Sequence, residues 1–318
     1  MELRQLRYFI AVARLNSFSR AAESLNVAQS ALSRQVQGLE EELATTLLLR
    51  DRRGLHLTEA GEALLERAEM ALEQVRLCKE DVLRRSNVPK GDLRLGVLPS
   101  LGEFLMPRIL ARYCQQYPEV HVHLRSGFSG FVNDWLAEGH IDLGVMHSPW
   151  WGANLVTEPI VIGDLIVALP PEAAARRLGL PEKEVYEIQD LKDLPMVVPS
   201  KLHAQRILIE RETAAHGISI NVALEVDNSS IIKALVKEGM GCTVIAYSAV
   251  HSDVKKNDLR IARLAKPGIR NDISIVTRSD RPVTAAMRAM INDIKLEMRG
   301  LIQSGEWPAE HFQLVGSK

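Results

Sequence analysis

The chain is predicted to be multidomain. A small N-terminal all-α unit carrying a β-hairpin leads into a long linker helix, and a two-lobed α/β part follows. Three observations predict this. At 318 residues the chain exceeds what one ordinary core organises. An apolar seam at heptad spacing runs through residues 58–86. At Asp92 the texture changes from helical periodicity to alternating strand-like and helix-like segments.

Residues 3–14 read as a first helix with Leu3, Leu6, Ile10 and Ala13 on one face. A short helix over 19–25 follows, with Ser17 or Ser19 as its cap. Asn26 suits the turn because its short side chain tolerates a left-handed backbone. The next helix starts near Gln29 or Ser30 and buries Leu32, Val36, Leu39 and Leu43. Its other face offers Ser30, Ser33, Arg34 and Gln37, with almost no acid before Glu40. Such a face fits the major groove of DNA, and Gln37 extends it by one turn. Taken alone, the same stretch fits an ordinary helical hairpin with a polar outer face equally well.

Residues 46–58 sharpen the choice. Leu47, Leu48 and Leu49 read as buried, and Arg50, Arg52 and Arg53 before Gly54 read as the tip of a hairpin, a wing. Cations there suit phosphate contacts, which position a protein on DNA without reading sequence. Thr58 then caps the long helix, and Glu59 and Glu62 complement its dipole. Leu64, Ala68, Ala71, Val75, Cys78 and Val82 form a narrow seam that needs a partner, expected to be the same helix of a second subunit. Asn87, Pro89 and Gly91 end the helix as a hinge.

Beyond Asp92, strands are expected at 93–99, 120–124, 141–146, 156–162, 164–169, 196–199, 221–226, 242–246, 260–264 and 272–277. Helices are expected at 103–117, 130–138, 203–216, 229–238 and 284–303. The alternation calls for a parallel sheet with helices on both faces, long enough for two lobes. Ligands in such folds bind at carboxyl ends of strands, where helix N-termini point.

Composition excludes several function classes. The chain is 46% apolar and 25% charged with net charge −1, so any nucleic-acid surface is a local patch rather than a bulk property. Cys78, Cys114 and Cys242 lie far apart, which fits a reducing cytosol and neither a disulfide framework nor a zinc site. The start MELRQLRYF is no signal peptide, and no run reaches the roughly 18 apolar residues of a membrane span, so a cytoplasmic location is expected. His121 and His123 share a strand face, but two ligands alone make a poor metal site. No cofactor, metal or catalytic residue is expected.

The order of elements resembles a LysR-type transcriptional regulator over nearly the whole chain. The resemblance rests on LRQLRYFIAVARLNSFSRAAESLNVAQSALSRQVQGLEEEL followed by LLLRDRRGLHLTEAG. Ser30 departs from it, standing where the family usually has proline. SGFSGFVNDWLAEGHIDLGVMHSP and LEVDNSSIIKALVKEGMGCTVIAYSAV look like the branch containing the nitrogen-assimilation and cyanate regulators. The resemblance implies an N-terminal winged helix-turn-helix over 1–58 and a dimerising linker helix over 59–88. It implies an effector domain like periplasmic solute-binding proteins over 89–303, and 304–318 is left as a loose tail. Lobe I would comprise about 92–163 and 268–303, and lobe II about 164–267. Ser30, Ser33, Arg34 and Gln35 would lie near bases and phosphates. The implied partners are a dyad-symmetric operator in double-stranded DNA, a second copy in a homodimer, further copies in a homotetramer, and RNA polymerase at an activated promoter.

Within the implied cleft, the residues at strand ends and helix starts are Ser100, Ser129, His147, Pro199, Ser200, His203, Arg206 and Asp227. Converging helix N-termini with hydroxyls at Ser100 and Ser129, and charge from His203 or Arg206, make an anion site, which points to an organic acid. Each residue has a plainer reading as a helix cap, a surface charge or a packed histidine. Asp227 could instead cap its helix or bind a ligand amine. Two other classes remain open here: a solute-binding protein and an α/β enzyme, each with an accessory helical domain. The arginine-rich wing argues against the first. The lack of a nucleophile elbow, GxGxxG or P-loop pattern argues against the second.

Overall fold

The computed structural model describes residues 1–51, 54–83, 88–147, 154–201 and 203–315. Arg52, Arg53, Asn87, Trp150 and Trp151 fall outside the described residues. The chain forms two compact units, Met1–Ser86 and Asn87–Lys318.

In the first unit, α1 (Leu3–Leu15), α2 (Phe18–Ser24) and α3 (Gln29–Leu43) precede β1 (Leu48–Asp51), β2 (Gly54–Leu57) and α4 (Glu59–Leu83). Leu6, Phe9, Val12, Ala21, Ala22, Leu32, Val36, Leu39 and Leu47 form its core, closed by Ala68 of α4. The buried stripe of α1 differs from the expected one. Leu3 is 43% exposed, while Phe9 and Val12 are buried. α1 touches α2, α3 and α4, so more of its circumference is covered than one partner would cover. The α3 stripe is buried at Leu32, Val36 and Leu39, but Leu43 at its end is exposed. Ser17 caps α2 by accepting from the Arg20 amide, and Asn26 takes the left-handed turn at φ +52°.

β1 and β2 pair antiparallel, forming the expected wing. Of the three leucines expected to be buried, Leu47, Leu48 and Leu49, only Leu47 is fully buried, and Leu49 is 55% exposed. Thr58 caps α4 as expected, accepting from the Gly61 amide at 3.0 Å while donating to Thr46 O at 2.7 Å. Gly61 permits a close approach: a β-carbon there would stand 2.2 Å from Leu47 O.

The second unit begins with β3 (Gly91–Val97), α5 (Pro99–Phe104), α6 (Met106–Gln116), β4 (Val120–Ser126), α7 (Ser129–Ala137), β5 (Leu143–His147) and β6 (Leu155–Gly163). It continues with β7 (Leu165–Leu169), α8 (Glu172–Arg177), β8 (Val185–Tyr186), a 3-10 turn at Ile188–Lys192, β9 (Pro195–Val198), α9 (Ala204–Ala215) and β10 (Asn221–Glu225). Next come α10 (Ser229–Lys237), β11 (Thr243–Ala246), α11 (Tyr247–Lys255), β12 (Arg260–Leu264), β13 (Ile273–Arg278), α12 (Ala285–Gln303) and β14 (Phe312–Leu314). Helices α5, α8 and α11 and strands β8 and β14 go beyond the sequence expectation.

Two sheets define two lobes. The lobe I sheet has the order β14-β6-β13-β5-β3-β4. In lobe II, β11-β7-β12-β8 continues to β9 and β10 through a parallel bridge from Cys242 to Met196. The sheets are mixed rather than purely parallel. β3 runs parallel to β4 and β5, but β13 is antiparallel to both β5 and β6. The reason lies in the connections. The chain leaves lobe I after β6, with Asp164 alone before β7, and returns after β12 to insert β13 between strands laid down earlier.

The segment after α12 is not loose. Trp307 is fully buried, Phe312 nearly so, and β14 extends the lobe I sheet along β6. Glu306 binds Arg108 of α6 at 2.8 Å and lies 3.4 Å from Lys255 of α11.

Candidate functional site

On α3, Ser30, Ser33, Arg34 and Gln37 are exposed on the side opposite Leu32, Val36 and Leu39. Gln35 is half-buried, about 100° round the helix from Arg34. Arg34 has no ion pair among the described residues, so its guanidinium is available for an outside anion. Ser19 donates to the Gln29 side chain at 3.0 Å, tying α2 to the start of α3. Glu40 leaves this face to hold the wing, accepting from the amides of Leu47 at 2.7 Å and Leu48 at 3.1 Å. Arg50 pairs through its backbone with Leu55.

In the second unit a cavity of about 470 Å³ lies between the lobes. Lobe I lines it with Ser100 on α5, Phe128 and Ser129 at the start of α7, and His147 at the end of β5. Lobe II lines it with His203 capping α9, Gln205 and Arg211 along α9, Ser229 opening α10, Ala246 before α11 and Ala249 in its first turn. Phe128 and His203 meet across the cleft edge to face, with ring centroids 4.5 Å apart.

Helix N-termini converge here, as the strand-end argument requires, but they are not equivalent. Asn228 accepts from the amides of Ser230 and Ile231, and His203 Nδ1 accepts from the Gln205 amide at 3.2 Å. Those ends of α10 and α9 are capped. The N-cap of α7, Phe128, makes no side-chain cap bond, so its first amides remain as donors beside the Ser129 hydroxyl. His147 Nδ1 is buried with no hydrogen-bond partner among the described residues. Burial pushes the His147 imidazole down to about 4. Burial also lowers His203, opposed by the Asp227 charge. Both rings are therefore neutral near pH 7, which leaves Arg211 as the formal cation among the lining residues.

Four of the expected residues, Ser100, Ser129, His147 and His203, line the cavity; four do not. Arg206 is buried, but its guanidinium turns away to Glu210 at 2.8 Å and Pro199 O at 3.2 Å. Ser200 donates its amide to Asp227 at 2.8 Å, and this bond holds the Asp227 carboxyl below its ordinary range. Pro199, Ser200, Arg206 and Asp227 thus brace the loop behind His203 rather than the ligand space. The expected charge from His203 or Arg206 is replaced by a neutral ring and an internally paired guanidinium. Helical spacing explains Arg206: the cavity face of α9 runs through Ala204, Ile207, Leu208 and Arg211. That spacing could have found Arg211 in the sequence. Asn271, on the return crossover, carries no such signal.

Among the described residues no His, Cys, Asp and Glu group could hold a metal ion, and no helix is long and apolar enough to cross a membrane.

The fold and the two sites define a class: a winged helix-turn-helix reader joined to a two-lobed ligand-binding domain. Residues 3–62 match the bacterial regulatory helix-turn-helix proteins of the lysR family, and residues 86–299 match the LysR substrate binding domain. The chain belongs to the LysR family of transcriptional regulators. It is 27% identical to the regulator BbuR of Bordetella bronchiseptica, covering 98% of this chain and 94% of that protein. It is 34% identical to AlsR of Bacillus subtilis over 78% of this chain and 82% of that one. It is also 28% identical to the nitrogen assimilation regulatory protein nac of Klebsiella aerogenes, over 86% and 88%. Full-length OxyR of Pseudomonas aeruginosa shares the fold with a TM-score of 0.68 at 22% identity, covering 94% of this chain and 95% of that one. CbnR solved with its target DNA does so with a TM-score of 0.67 at 22% identity, over 93% and 100%. The protein is a DNA-binding transcription regulator with an effector-binding domain, and its relatives are regulators rather than enzymes.

Proposed function

We propose that the protein acts in the cytoplasm on a dyad-symmetric operator, as a dimer paired through α4 and assembled further into a homotetramer. A small organic acid in the cleft would set its output, with RNA polymerase the partner at the promoter. The observation that carries the effector class is the cleft's donor set. The uncapped start of α7 and the hydroxyls of Ser100 and Ser129 offer hydrogen bonds to a carboxylate. Neutral His147 and His203 and the apolar faces of Phe128, Ile207 and Leu208 suit an uncharged body. The reading is therefore a monocarboxylate held by dipoles and hydroxyls. A polyanion would find too few cations.

Pairing through α4 is supported by Ala71 and Val75 of the heptad seam, which are exposed in the single chain, and by Met70 beside them, 52% exposed. Leu64 and Ala68, at the start of the seam, pack into the unit's own core; a helix of 25 residues that leaves Ala71 and Val75 uncovered beyond them gains from a second copy.

A thermal-shift screen tests the effector class, because a ligand that binds only the folded protein raises its melting temperature with concentration. Small monocarboxylates should raise it, and Ser129→Ala should suppress the rise. The reading fails if amines or neutral sugars stabilise the protein and no carboxylate does. Footprinting tests the operator: one dyad-symmetric promoter site should be protected in the presence of excess competitor DNA, whereas equal binding to all duplexes rejects it.

A further inference from the structure

We propose that the protein carries a second small-molecule site, for a zwitterionic α-amino acid, in a polar pocket at the hinge between the lobes. This pocket is separate from the cleft and has a volume of about 210 Å³. Asp164, the one residue between β6 and β7, and Lys266, on the return crossover after β12, both line it. The segment after α12 closes it with Glu310 and His311. These three stretches are joined by backbone bonds: the Asp164 amide donates to His311 O at 3.3 Å, and the Leu165 amide donates to Ile269 O at 2.8 Å.

The charges of the pocket indicate what it would take. Arg263 and Glu310 face each other at 3.7 Å, and nearby Arg270 and Asp272 are paired at 2.7 Å. Asp164 and Lys266 are different. Neither side chain has a hydrogen bond or ion pair among the described residues, although the Lys266 charge acts on the Asp164 carboxyl. His311 is 4% exposed, and its Nε2 is enclosed without a hydrogen-bond partner, 3.5 Å from the Glu310 carboxylate. The pocket thus holds one unengaged carboxylate and one unengaged ammonium over an apolar wall of Leu165, Leu264 and Ala265.

A simple anion would gain Lys266 but meet Asp164, and a simple cation the reverse. A molecule with both charges on adjacent atoms satisfies both. Its ammonium donates to Asp164 and its carboxylate accepts from Lys266 Nζ. Charge-assisted bonds of this kind are the stronger ones. A small side chain fits the apolar wall and the volume. A ligand held there would tie together both inter-lobe crossovers and the C-terminal segment.

The test is calorimetric titration of the full-length protein with the standard L-amino acids. Each binder is then compared with its decarboxylated amine and its deaminated acid. At least one amino acid should bind saturably, and neither of its single-charge analogues should bind. Asp164→Asn and Lys266→Met should each weaken it about tenfold or more, as loss of a charged hydrogen bond does. Ser129→Ala in the cleft should leave it unchanged. Lys266→Met decides the matter if Asp164→Asn fails to fold. The proposal is overturned if no amino acid binds saturably, if an amine or acid alone binds as well, or if the cleft variant abolishes binding while the hinge variants do not.

Discussion

Glu40, on α3, accepts a 2.7 Å hydrogen bond from the amide of Leu47, the residue that enters the wing. The same carboxylate oxygen accepts from Leu48. One side chain therefore fixes the angle between the two elements that would touch DNA. Glu40→Ala leaves two amides without that acceptor and should lower stability by about 1–3 kcal/mol. Operator affinity should fall more than the loss of folded protein explains. Denaturant unfolding and fluorescence anisotropy on labelled operator, run on the same samples, separate the two effects. Unchanged anisotropy in fully folded Glu40→Ala would show that the wing needs no such anchor.

Packing around Leu47 predicts a second outcome. Gly61→Ala would push a methyl into Leu47 O and the Leu57 side chain, so the start of α4 must move off the hairpin. A loss of about 1–3 kcal/mol is expected from such overpacking. Ala44 shows the opposite case. It ends α3 in the left-handed conformation at φ +50°, where a β-carbon is a burden. Ala44→Gly should stabilise the first unit by up to about 1 kcal/mol. Urea midpoints should move in opposite directions for the two variants.

Arg34 and the wing arginines predict a salt effect. Each phosphate neutralised contributes about 0.9 to the slope of log affinity against log salt. Arg34→Ala should reduce the slope by about one, and replacing Arg50, Arg52 and Arg53 together should reduce it further while weakening all sequences alike. A slope that stays constant across these variants would place the phosphate contacts elsewhere.

The cleft predicts a pH profile. His147 titrates near 6.5 in the unfolded chain but is held to about 4 when folded. Between those values the unfolded chain takes up a proton that the folded one refuses. Stability from this group is therefore full above about 6.5 and is lost as pH falls toward 4. Glu306 behaves as a depressed carboxylate, down to about 2 beside Arg108. Its contribution is present above its ordinary 4.5 and is lost as pH drops toward 2. Melting curves of His147→Gln should flatten the first window and those of Glu306→Gln the second. Carboxylate binding in the cleft should not strengthen as pH falls from about 7 to about 5, because the His147 imidazole stays neutral there. A steep gain would mean that a cationic ring binds the ligand.

The reader unit was almost fully legible in the sequence, because short helices with strict apolar spacing and named caps depend on local chemistry. Ser17, Asn26 and Thr58 took their expected places for that reason. The stripe of α1 was misplaced because three neighbours cover it, which periodicity alone does not reveal. In the second unit, the positions of the strands other than β8 and β14 were legible, and strand directions were not. Nothing in the ISIVTR segment marks β13 as antiparallel; that follows from where the chain re-enters the lobe I sheet. The cleft was half legible. Ser100 and Ser129 follow from their places at strand ends and helix starts, whereas Arg206 against Arg211 depends on which face of α9 turns inward.

The match to the LysR substrate binding domain ends at residue 299, and α12 ends at Gln303. Either point invites a truncation for crystallisation or for a minimal ligand-binding fragment. The fold does not end there. A fragment cut at Gln303 would lose the strand that covers the edge of β6 and the indole stacked between Phe104 and Phe312. It would also expose the face of α11 carrying Tyr247 and His251, on the helix whose other side, at Ala249, reaches the cleft. Ligand affinities measured on such a fragment would describe a damaged vessel, and a bulky C-terminal tag should be placed at the other end of the chain.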